Sequence, residues 1–277
     1  ASVWDRDDVL PSVIFYSGMG GMSAGNLVKR EGKYVITAVA IDCDLATCTT
    51  HRLNNPSVPV HHMRISDAAG VRAAVKNFLP RKHWWRAWLH SSNSCKKATS
   101  ANMLGRDMSS ALVETTFAIQ MMEKFGAAIW TLENVPELHC HFKGKYPTAV
   151  ISNMKQHCLL AQDRRRMVLS NRLLYFDRVS RDITVRDVLG KRLGWSESKS
   201  YLVRNAWGRT RSVDSPKGSY SVTSGYMSAG ASTVGEFGTQ HILSSAERGL
   251  LQGYAEPPIW PASVPEYARK TMVAQVV

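Results

Sequence analysis

Four residues in the middle of the chain carry the side chains best suited to covalent chemistry: Cys95, Glu133, Arg164 and Arg166. A cysteine thiolate is a strong nucleophile, and the two lysines that follow Cys95 favour the ionised form. A carboxyl group placed after an apolar run, as Glu133 is, can donate a proton. Arginines bind carbonyl, carboxylate or phosphate groups. Together these side chains indicate nucleophilic attack on an electron-poor group, assisted by an acid and held by cations.

Each of these residues also has a structural explanation when it is taken alone. A lone cysteine is usually buried or idle, a carboxylate often pairs with an arginine, and a basic run is more often a solvated surface. The order of Cys95, Glu133 and the alternating Gln162, Arg164 and Arg166 favours the chemical interpretation. Period-two spacing places both arginines on one face if the segment is extended.

A glycine-rich turn lies upstream of these residues and follows a predicted strand. Glycines there allow a sharp turn and a close approach of the backbone to a ligand, although a glycine turn alone is weak evidence. Asp42 ends the next predicted strand, where a carboxylate commonly binds ribose hydroxyls or merely caps the strand. The two features together predict a nucleoside-bearing cofactor. The candidate residues of the turn are Phe15, Ser17, Gly18, Gly20 and Gly21.

Strands and helices that alternate along the chain must position these residues. The apolar patterns predict strands over 13–16, 34–41, 127–132 and 167–169, and helices over 22–30, 68–79, 109–125 and 242–254. Such alternation predicts a mostly parallel α/β sheet, whose ligands bind beyond the carboxyl ends of the strands. Every candidate residue falls at that edge. We predict one domain over 1–170, a small loop-rich lobe over 171–240, and a return to the first domain over 241–277.

The composition limits the classes of partner. The 277 residues include 35 Lys and Arg against 22 Asp and Glu, a formal net charge of +13. A charge this positive favours a polyanion such as nucleic acid over a merely solvated basic surface. No apolar run approaches the roughly 20 residues that span a bilayer. The first residues lack the pattern of a secretory signal, so a cytoplasmic or nuclear location is expected.

The cysteines and histidines give little support to a metal or disulfide framework. The five cysteines are odd in number and include no CxxC pair, which predicts reduced thiols. The groups His139-Cys140-His141 and His157-Cys158 do not have the usual ligand spacing of zinc sites. We therefore predict no metal.

The order and identity of these motifs resemble the DNA (cytosine-5) methyltransferase family over most of the chain. The matching segments are the glycine turn, the Cys95 loop, Glu133-Asn134-Val135 and Gln162-x-Arg164-x-Arg166. The resemblance implies a Rossmann-like sheet of the class I methyltransferase type, with a target-recognition lobe over 171–240. It also implies S-adenosylmethionine as the cofactor, with Asn134 joining the glycine turn and Asp42 as binding residues.

The same resemblance assigns the chemistry. Cys95 would attack C6 of a cytosine flipped out of duplex DNA, Glu133 would contact N3 and the exocyclic amine, and the methyl group would go to C5. Arg164 and Arg166 would position the base. One departure is that Ser94-Cys95-Lys96 stands where the family has Pro-Cys-Gln. This puts rate and substrate preference in question.

Three alternatives stay open from the sequence. The altered cysteine loop suits a catalytically weak or inactive DNA-binding paralogue or a regulatory subunit. The same chemistry on RNA, or on a non-standard cytosine, is equally compatible with the motifs. The oligomeric state is not fixed by the sequence, and we favour a monomer.

Overall fold

A computed structural model describes residues 2–26, 32–94, 98, 107–158, 160–204, 209–217, 219–220, 233–235 and 241–274. These residues form two compact units. The first comprises the described parts of 1–151 and 167–174, and the second those of 152–166 and 175–276. The grouping of 241–274 with the second unit differs from the predicted boundaries, in which 241–277 rejoins the first domain.

The first unit contains the larger share of the regular elements. In chain order they are β1 Val9–Phe15, α1 Gly21–Asn26, β2 Tyr34–Asp42, α2 Leu45–Asn54, β3 Val60–His62, α3 Ala68–Phe78, β4 Trp88–Ser91, α4 Met108–Lys124, β5 Ile129–Asn134, α5 His139–Phe142 and β6 Thr148–Asn153. Short 3-10 helices cover Val3–Asp5, Arg81–Arg86 and Pro136–Leu138.

The remaining elements are mostly short. They are α6 Met154–His157, β7 Gln162–Asp163, β8 Arg165–Ser170, α7 Val185–Leu189, β9 Leu202–Arg204, β10 Thr210–Ser212, β11 Ser219–Tyr220, β12 Thr233–Gly235, β13 His241–Ile242, α8 Ser245–Leu251 and α9 Glu266–Ala274. β8 lies between β5 and β6 in the sheet of the first unit. None of the helices in the described ranges is long and apolar enough to cross a bilayer.

The first unit is built on a seven-stranded sheet with the strand order β3-β2-β1-β4-β5-β8-β6. The pairs β2–β3, β1–β2, β1–β4 and β4–β5 are parallel, and β5–β8 is antiparallel. Parallel strands with helical connections are buried on both faces, which explains their nearly continuous apolar sequences. The predicted mostly parallel, Rossmann-like sheet is confirmed.

The register of the central strands brings their carboxyl ends into line. Phe15 pairs with Ile41 of β2 and with Ser91 of β4, and Ser91 pairs with Leu132 of β5. The residues that follow these four positions therefore lie along one edge of the sheet. This edge carries the glycine turn, Asp42 and Glu133.

Apolar burial on both faces of the sheet fixes that edge. Val13, Leu89 and Leu132 are at most 1% exposed and belong to one core cluster. α4 covers the sheet with Ala118, Ile119 and Met122, and begins where Asp107 accepts the Ser110 N–H at 3.0 Å. Each large buried apolar side chain stabilises the fold by roughly 1.5–3 kcal/mol.

The predicted helices overlap the observed ones, with different ends. The described part of the helix predicted over 22–30 is α1, and residues 27–31 lie outside the described ranges. The helix predicted over 242–254 is only α8, because Ser244 and Glu247 form a capping box that starts it at Ser245. The sequence patterns missed α2, β3, β4, β6 and α9.

The second unit contains a four-stranded sheet with the order β10-β9-β12-β13 and the two-stranded pair β11-β7. Its core includes Val185, Val203, Val213 and Leu251, each fully buried. The apolar positions here are far apart in the chain, which is why periodicity alone did not define this unit.

One buried histidine of the first unit makes the fold sensitive to acid. The His90 ring lies between Thr131 and Ser92, with Nδ1 2.8 Å from Oγ1 and Nε2 2.8 Å from Oγ respectively. Burial lowers the pKa of His90 to about 4, against about 6.5 in an unfolded chain. Between these values the unfolded chain binds a proton that the folded chain does not, so stability falls as the pH falls.

We therefore expect the free energy of unfolding to decrease by about 3 kcal/mol on account of His90 between pH 6.5 and pH 4. Urea unfolding at several pH values measures this decrease. A His90→Gln variant should lose correspondingly less stability over that interval, relative to its own value at pH 7. A His62→Gln variant, at an exposed position, should keep the parental pH dependence. Identical pH dependence in parent and His90→Gln would contradict the assignment.

Candidate cofactor and catalytic site at the carboxyl edge of the sheet

Three residues of the glycine turn have a positive φ. Tyr16 has φ 52°, Gly18 has φ 55° and Gly20 has φ 95°. The turn is closed by backbone bonds from Gly20 N–H to Ser17 O at 3.3 Å and from Ala24 N–H to Gly20 O at 3.0 Å. Tyr16 pays about 1–2 kcal/mol for its left-handed conformation. A strained, glycine-rich turn at a sheet edge is typical of a ligand-binding loop.

Asp42 ties this turn to the neighbouring strand. Its Oδ2 accepts the Gly18 N–H at 2.9 Å, and its Oδ1 accepts the Asp44 N–H at 3.0 Å. Burial raises the pKa of the Asp42 carboxyl, and these two hydrogen bonds oppose the rise. Each carboxylate oxygen keeps a second lone pair, so the group can still accept the two hydroxyls of a ribose.

The space beside the turn is open at Gly18 and filled by protein at Gly20. A Cβ at Gly18 would meet nothing within 4 Å, so the backbone there is open to a ligand. A Cβ at Gly20 would collide with the side chains of Asn55 and His51, so this side of Gly20 packs against protein. The open backbone at Gly18 beside the Asp42 carboxylate is the observation that fits the predicted cofactor to this turn.

The aromatic residues of the turn differ from the predicted arrangement. Phe15 ends β1 inside the core, with 1% of its surface exposed and its ring 5.9 Å from that of Phe125. Tyr16 follows it at the sheet edge and is only half-buried. Burial, and then the charges of Glu114, Cys43 and Asp42, raise the pKa of Tyr16 to about 12. Tyr16 is therefore the aromatic side chain of the turn that is accessible.

His51 is a buried residue of α2 that no sequence motif indicated. Its ring forms hydrogen bonds to both sides of the glycine turn. His51 Nδ1 lies 3.2 Å from Ser17 Oγ, and His51 Nε2 lies 3.0 Å from Ser23 Oγ. Burial lowers the pKa of His51 to about 4, so the ring is neutral at physiological pH. No sequence pattern marks this histidine, because the buried face of α2 also carries Thr47 and Thr50 whereas its two leucines are exposed.

The end of β5 carries the predicted acid. Glu133 is 7% exposed and pairs in register with Val168 of β8. Asn134 follows Glu133, and both polar atoms of its side chain form hydrogen bonds. Oδ1 accepts the Val135 N–H at 2.8 Å, and Nδ2 donates to Asn93 O at 3.3 Å. Asn134 thus shapes the turn after Glu133 and links it to the end of β4.

Asn93 joins this link to α4 as well. Its Nδ2 donates to Thr115 Oγ1 at 3.0 Å, and it is 3% exposed. The sequence analysis did not single out Asn93. Because it lies two residues before Cys95, it anchors the beginning of the predicted thiol loop beside the Glu133 turn. Cys95 itself lies outside the described residues.

The predicted arginines belong to the second unit. Arg164 is 4% exposed, and its backbone N–H donates to Asn153 Oδ1 at 3.2 Å. Arg166 is half-buried and donates from Nη1 to Arg165 O at 2.8 Å. Gln162 is fully buried, with Nε2 bound to Leu251 O at 2.9 Å and Gln252 Oε1 at 2.7 Å. Gln162 therefore has a structural contact that the motif did not reveal.

The histidines and cysteines of the described ranges have structural surroundings that explain them. Within the described ranges, no group of three or more His, Cys, Asp or Glu could hold a metal ion. His139 Nε2 lies 3.0 Å from Ala149 O, and His157 Nδ1 lies 2.8 Å from Asp177 O. Each of these two histidines therefore has a hydrogen bond to a backbone carbonyl. Of the cysteines that the structure describes, Cys43, Cys48, Cys140 and Cys158 are not in disulfides.

Solved structures define the class of this fold. Over 97% of this chain, the structure of S. pombe Dnmt2 methyltransferase matches with a TM-score of 0.60 and 16% identity, covering 94% of that chain. Entamoeba histolytica methyltransferase EhMeth matches over 97% of this chain and 93% of its own, with a TM-score of 0.63 and 11% identity. At these identities the likeness concerns the fold. The chain has a class I methyltransferase fold.

More particularly, the fold is shared with Dnmt2 and EhMeth along nearly the whole chain, and the fold predicted from the resemblance to the cytosine-5 methyltransferases is confirmed. A proposed DNA modification methyltransferase from an E. coli prophage matches less well, with a TM-score of 0.47 and 17% identity. This chain covers 54% of that protein's length, and 65% of this chain is matched. No protein-family model and no curated protein matches the sequence.

Proposed function

We propose that the protein is an S-adenosylmethionine-dependent methyltransferase that transfers a methyl group to C5 of cytosine in DNA. The observation that carries this proposal is the alignment of three motifs along one sheet edge. The glycine turn follows Phe15, Asp42 follows Ile41 and Glu133 follows Leu132, and these three preceding residues are aligned across the sheet through Ser91. Ligands of open α/β sheets bind beyond this edge.

The cofactor would be held by the turn and the two adjacent strand ends. Asp42 would bind the ribose hydroxyls, and the backbone at Ser17, Gly18, Gly20 and Gly21 would line the methionine side. Asn134 would close the site beside the Glu133 turn. Tyr16, rather than the buried Phe15, would supply the aromatic contact. Bound S-adenosylmethionine supplies an electrophilic methyl group.

Side chains of the protein would carry out the remaining steps of the reaction. The Cys95 thiolate forms a bond from Sγ to C6 of the cytosine, which moves an electron pair toward C5 while Glu133 holds a proton at N3. After C5 has received the methyl group, a base removes the C5 proton. The released electron pair breaks the Sγ–C6 bond and regenerates the thiolate. The buried position of Glu133 excludes water from the proton that it holds.

Cations would bind the base and the backbone of the nucleic acid. We propose Arg164 and Arg166 for the base, and Arg204, Arg209, Arg211 and Lys217 of the second unit for phosphates. Arg204 and Lys217 are exposed, and Arg211 is half-buried with Asp163 Oδ2 3.4 Å from its Nη1. The formal charge of +13 supports a polyanionic substrate. Binding through phosphate contacts weakens steeply with added salt.

Covalent trapping tests the proposal. Duplex DNA carrying 5-fluorocytosine is incubated with the protein and S-adenosylmethionine, and the mixture is run on a denaturing gel. Because fluorine at C5 cannot leave as a proton does, the Sγ–C6 bond persists and a shifted band is expected. Cys95→Ala should abolish the band. Cys140→Ala, at an exposed free thiol, should leave it unchanged.

Three outcomes would contradict the proposal or part of it. Methylation of ordinary DNA without a trapped band would contradict the covalent mechanism. Trapping on 5-fluorocytosine RNA but not on DNA would contradict the assignment of DNA. If S-adenosylmethionine and DNA bind but neither methylation nor a band forms, the binding-only alternative is correct.

A further inference from the structure

The glycine turn is bridged by one imidazole from α2. Ser17 precedes the glycines and Ser23 follows them in α1, and the two ring nitrogens of His51 reach one hydroxyl each, at 3.2 and 3.0 Å. Asn55, the C-cap residue of the same helix, donates a hydrogen bond from Nδ2 to Gly20 O at 3.3 Å. α2 therefore holds the turn before, within and after its glycines.

The three residues of this bridge are buried, and each ring nitrogen of His51 has a hydroxyl partner. His51 is 0% exposed, Ser23 is 0% exposed and Ser17 is 7% exposed. A neutral imidazole has one donor and one acceptor nitrogen, so one serine accepts a hydrogen bond and the other donates one. If the ring were replaced by an apolar group, both buried hydroxyls would lose their partner, which is costly in an apolar environment.

α1 buries polar side chains as well as making contacts with the apolar core. The helix reads Gly-Met-Ser-Ala-Gly-Asn, and its buried residues are Ser23 and Asn26. Asn26 Nδ2 donates to Ser12 Oγ of β1 at 3.0 Å. Met19 of the turn is fully buried and Met22 of α1 packs on a cluster that includes Ile14, so apolar contacts fix the general position of the turn. The hydrogen bonds of His51, Asn55 and Asn26 add the directional contacts that fix its backbone conformation.

We infer that His51 is a positioning residue that pre-organises the glycine turn for its ligand without touching the ligand itself. The bridge holds Ser17 and Ser23 at a fixed separation, which keeps the Gly18 N–H directed at Asp42. Ordering the turn before binding removes an entropic cost from the binding step. Under the proposed function, on which this role rests, the ligand is S-adenosylmethionine. His51 would then set cofactor affinity and not the rate of the chemical step.

Two readouts on the full-length chain test the inference. The first is amide hydrogen exchange of residues 17–26 in the ligand-free protein, and the second is the Kd for S-adenosylmethionine by calorimetry. His51→Leu keeps a similar side-chain volume and removes both ring nitrogens. We expect exchange in the turn to accelerate about tenfold or more and the Kd to rise by about tenfold or more. The kcat at saturating cofactor should stay within about threefold of the parent.

Matched variants separate the bridge from a general effect on α2. Thr49→Ala removes a hydroxyl that bonds to Leu45 O of the same helix at 2.9 Å, and should change neither readout. Ser23→Ala breaks the same bridge from the other side. Its effect on exchange should therefore not add to that of His51→Leu in the double variant.

The outcomes distinguish this inference from the proposed function. Unchanged exchange in His51→Leu would overturn the bridge whether or not the protein binds the cofactor. Faster exchange with an unchanged Kd, in a protein whose parent binds S-adenosylmethionine, would overturn the positioning role. Faster exchange in a protein whose parent does not bind the cofactor would support the bridge and refute the proposed cofactor.

Discussion

Replacing Glu133 by glutamine is expected to lower the rate of methyl transfer by about 100- to 10,000-fold while the fold stays intact. Glutamine has nearly the same shape, so the packing at the end of β5 is retained. Its amide can donate a hydrogen bond to N3 but cannot transfer a proton to it, so C6 of the base is then a poorer target for the Cys95 thiolate. Single-turnover methylation of a cytosine-containing duplex measures the loss.

The reference variant for this experiment is Glu123→Gln. Glu123 is an exposed carboxylate near the end of α4, and its replacement should leave both the rate and the melting temperature at parental values. The melting temperature of Glu133→Gln should also be close to that of the parent. A Glu133→Gln enzyme that retains the parental rate would remove Glu133 from the mechanism.

Replacing Gly20 by alanine is expected to destabilise the protein by about 4 kcal/mol. The φ of 95° is strained for any residue with a side chain. The added methyl group would also lie 2.5 Å from Cδ2 of His51 and would overlap Nδ2 of Asn55. Both neighbours are buried and hydrogen-bonded, so neither can move away without losing its partners.

Gly18→Ala provides the comparison within the same turn. Its φ is 55°, and the added methyl group would meet nothing within 4 Å, so the expected loss is only about 1–2 kcal/mol. Urea unfolding of both variants gives the two values. Equal losses would show that the contacts of Gly20 with α2 do not determine the shape of the turn.

The sequence predicted the sheet edge well because each motif there follows an apolar strand. β1, β2 and β5 are recognisable from short, mostly apolar runs rich in β-branched and aromatic residues, and the parallel register then places Asp42 and Glu133 at the same edge. The same logic could not separate Phe15 from Tyr16. Those two residues are adjacent and aromatic, and only the backbone conformation at Tyr16 decides which ring enters the core.

Residues that act through partners far along the chain were beyond sequence reasoning. His51 and Asn93 show no motif, and their roles depend on hydroxyl and amide groups at Ser23, Thr115 and Asn134. The second unit was poorly predicted for a related reason. Its short strands pair across long separations, and their individual apolar patterns are too brief to mark them.

The position of β8 has a consequence for how the chain folds. Strands β1 to β5 are complete once residue 134 has been synthesised, and they can pair in parallel without later sequence. β6 comes next in the chain but cannot join them, because β8 occupies the place between β5 and β6. Until Met167 to Ser170 arrive, β5 is an open edge whose backbone groups can pair with another chain. The final two strands therefore enter the sheet in the reverse of their order of synthesis, and this late insertion is the step most exposed to aggregation.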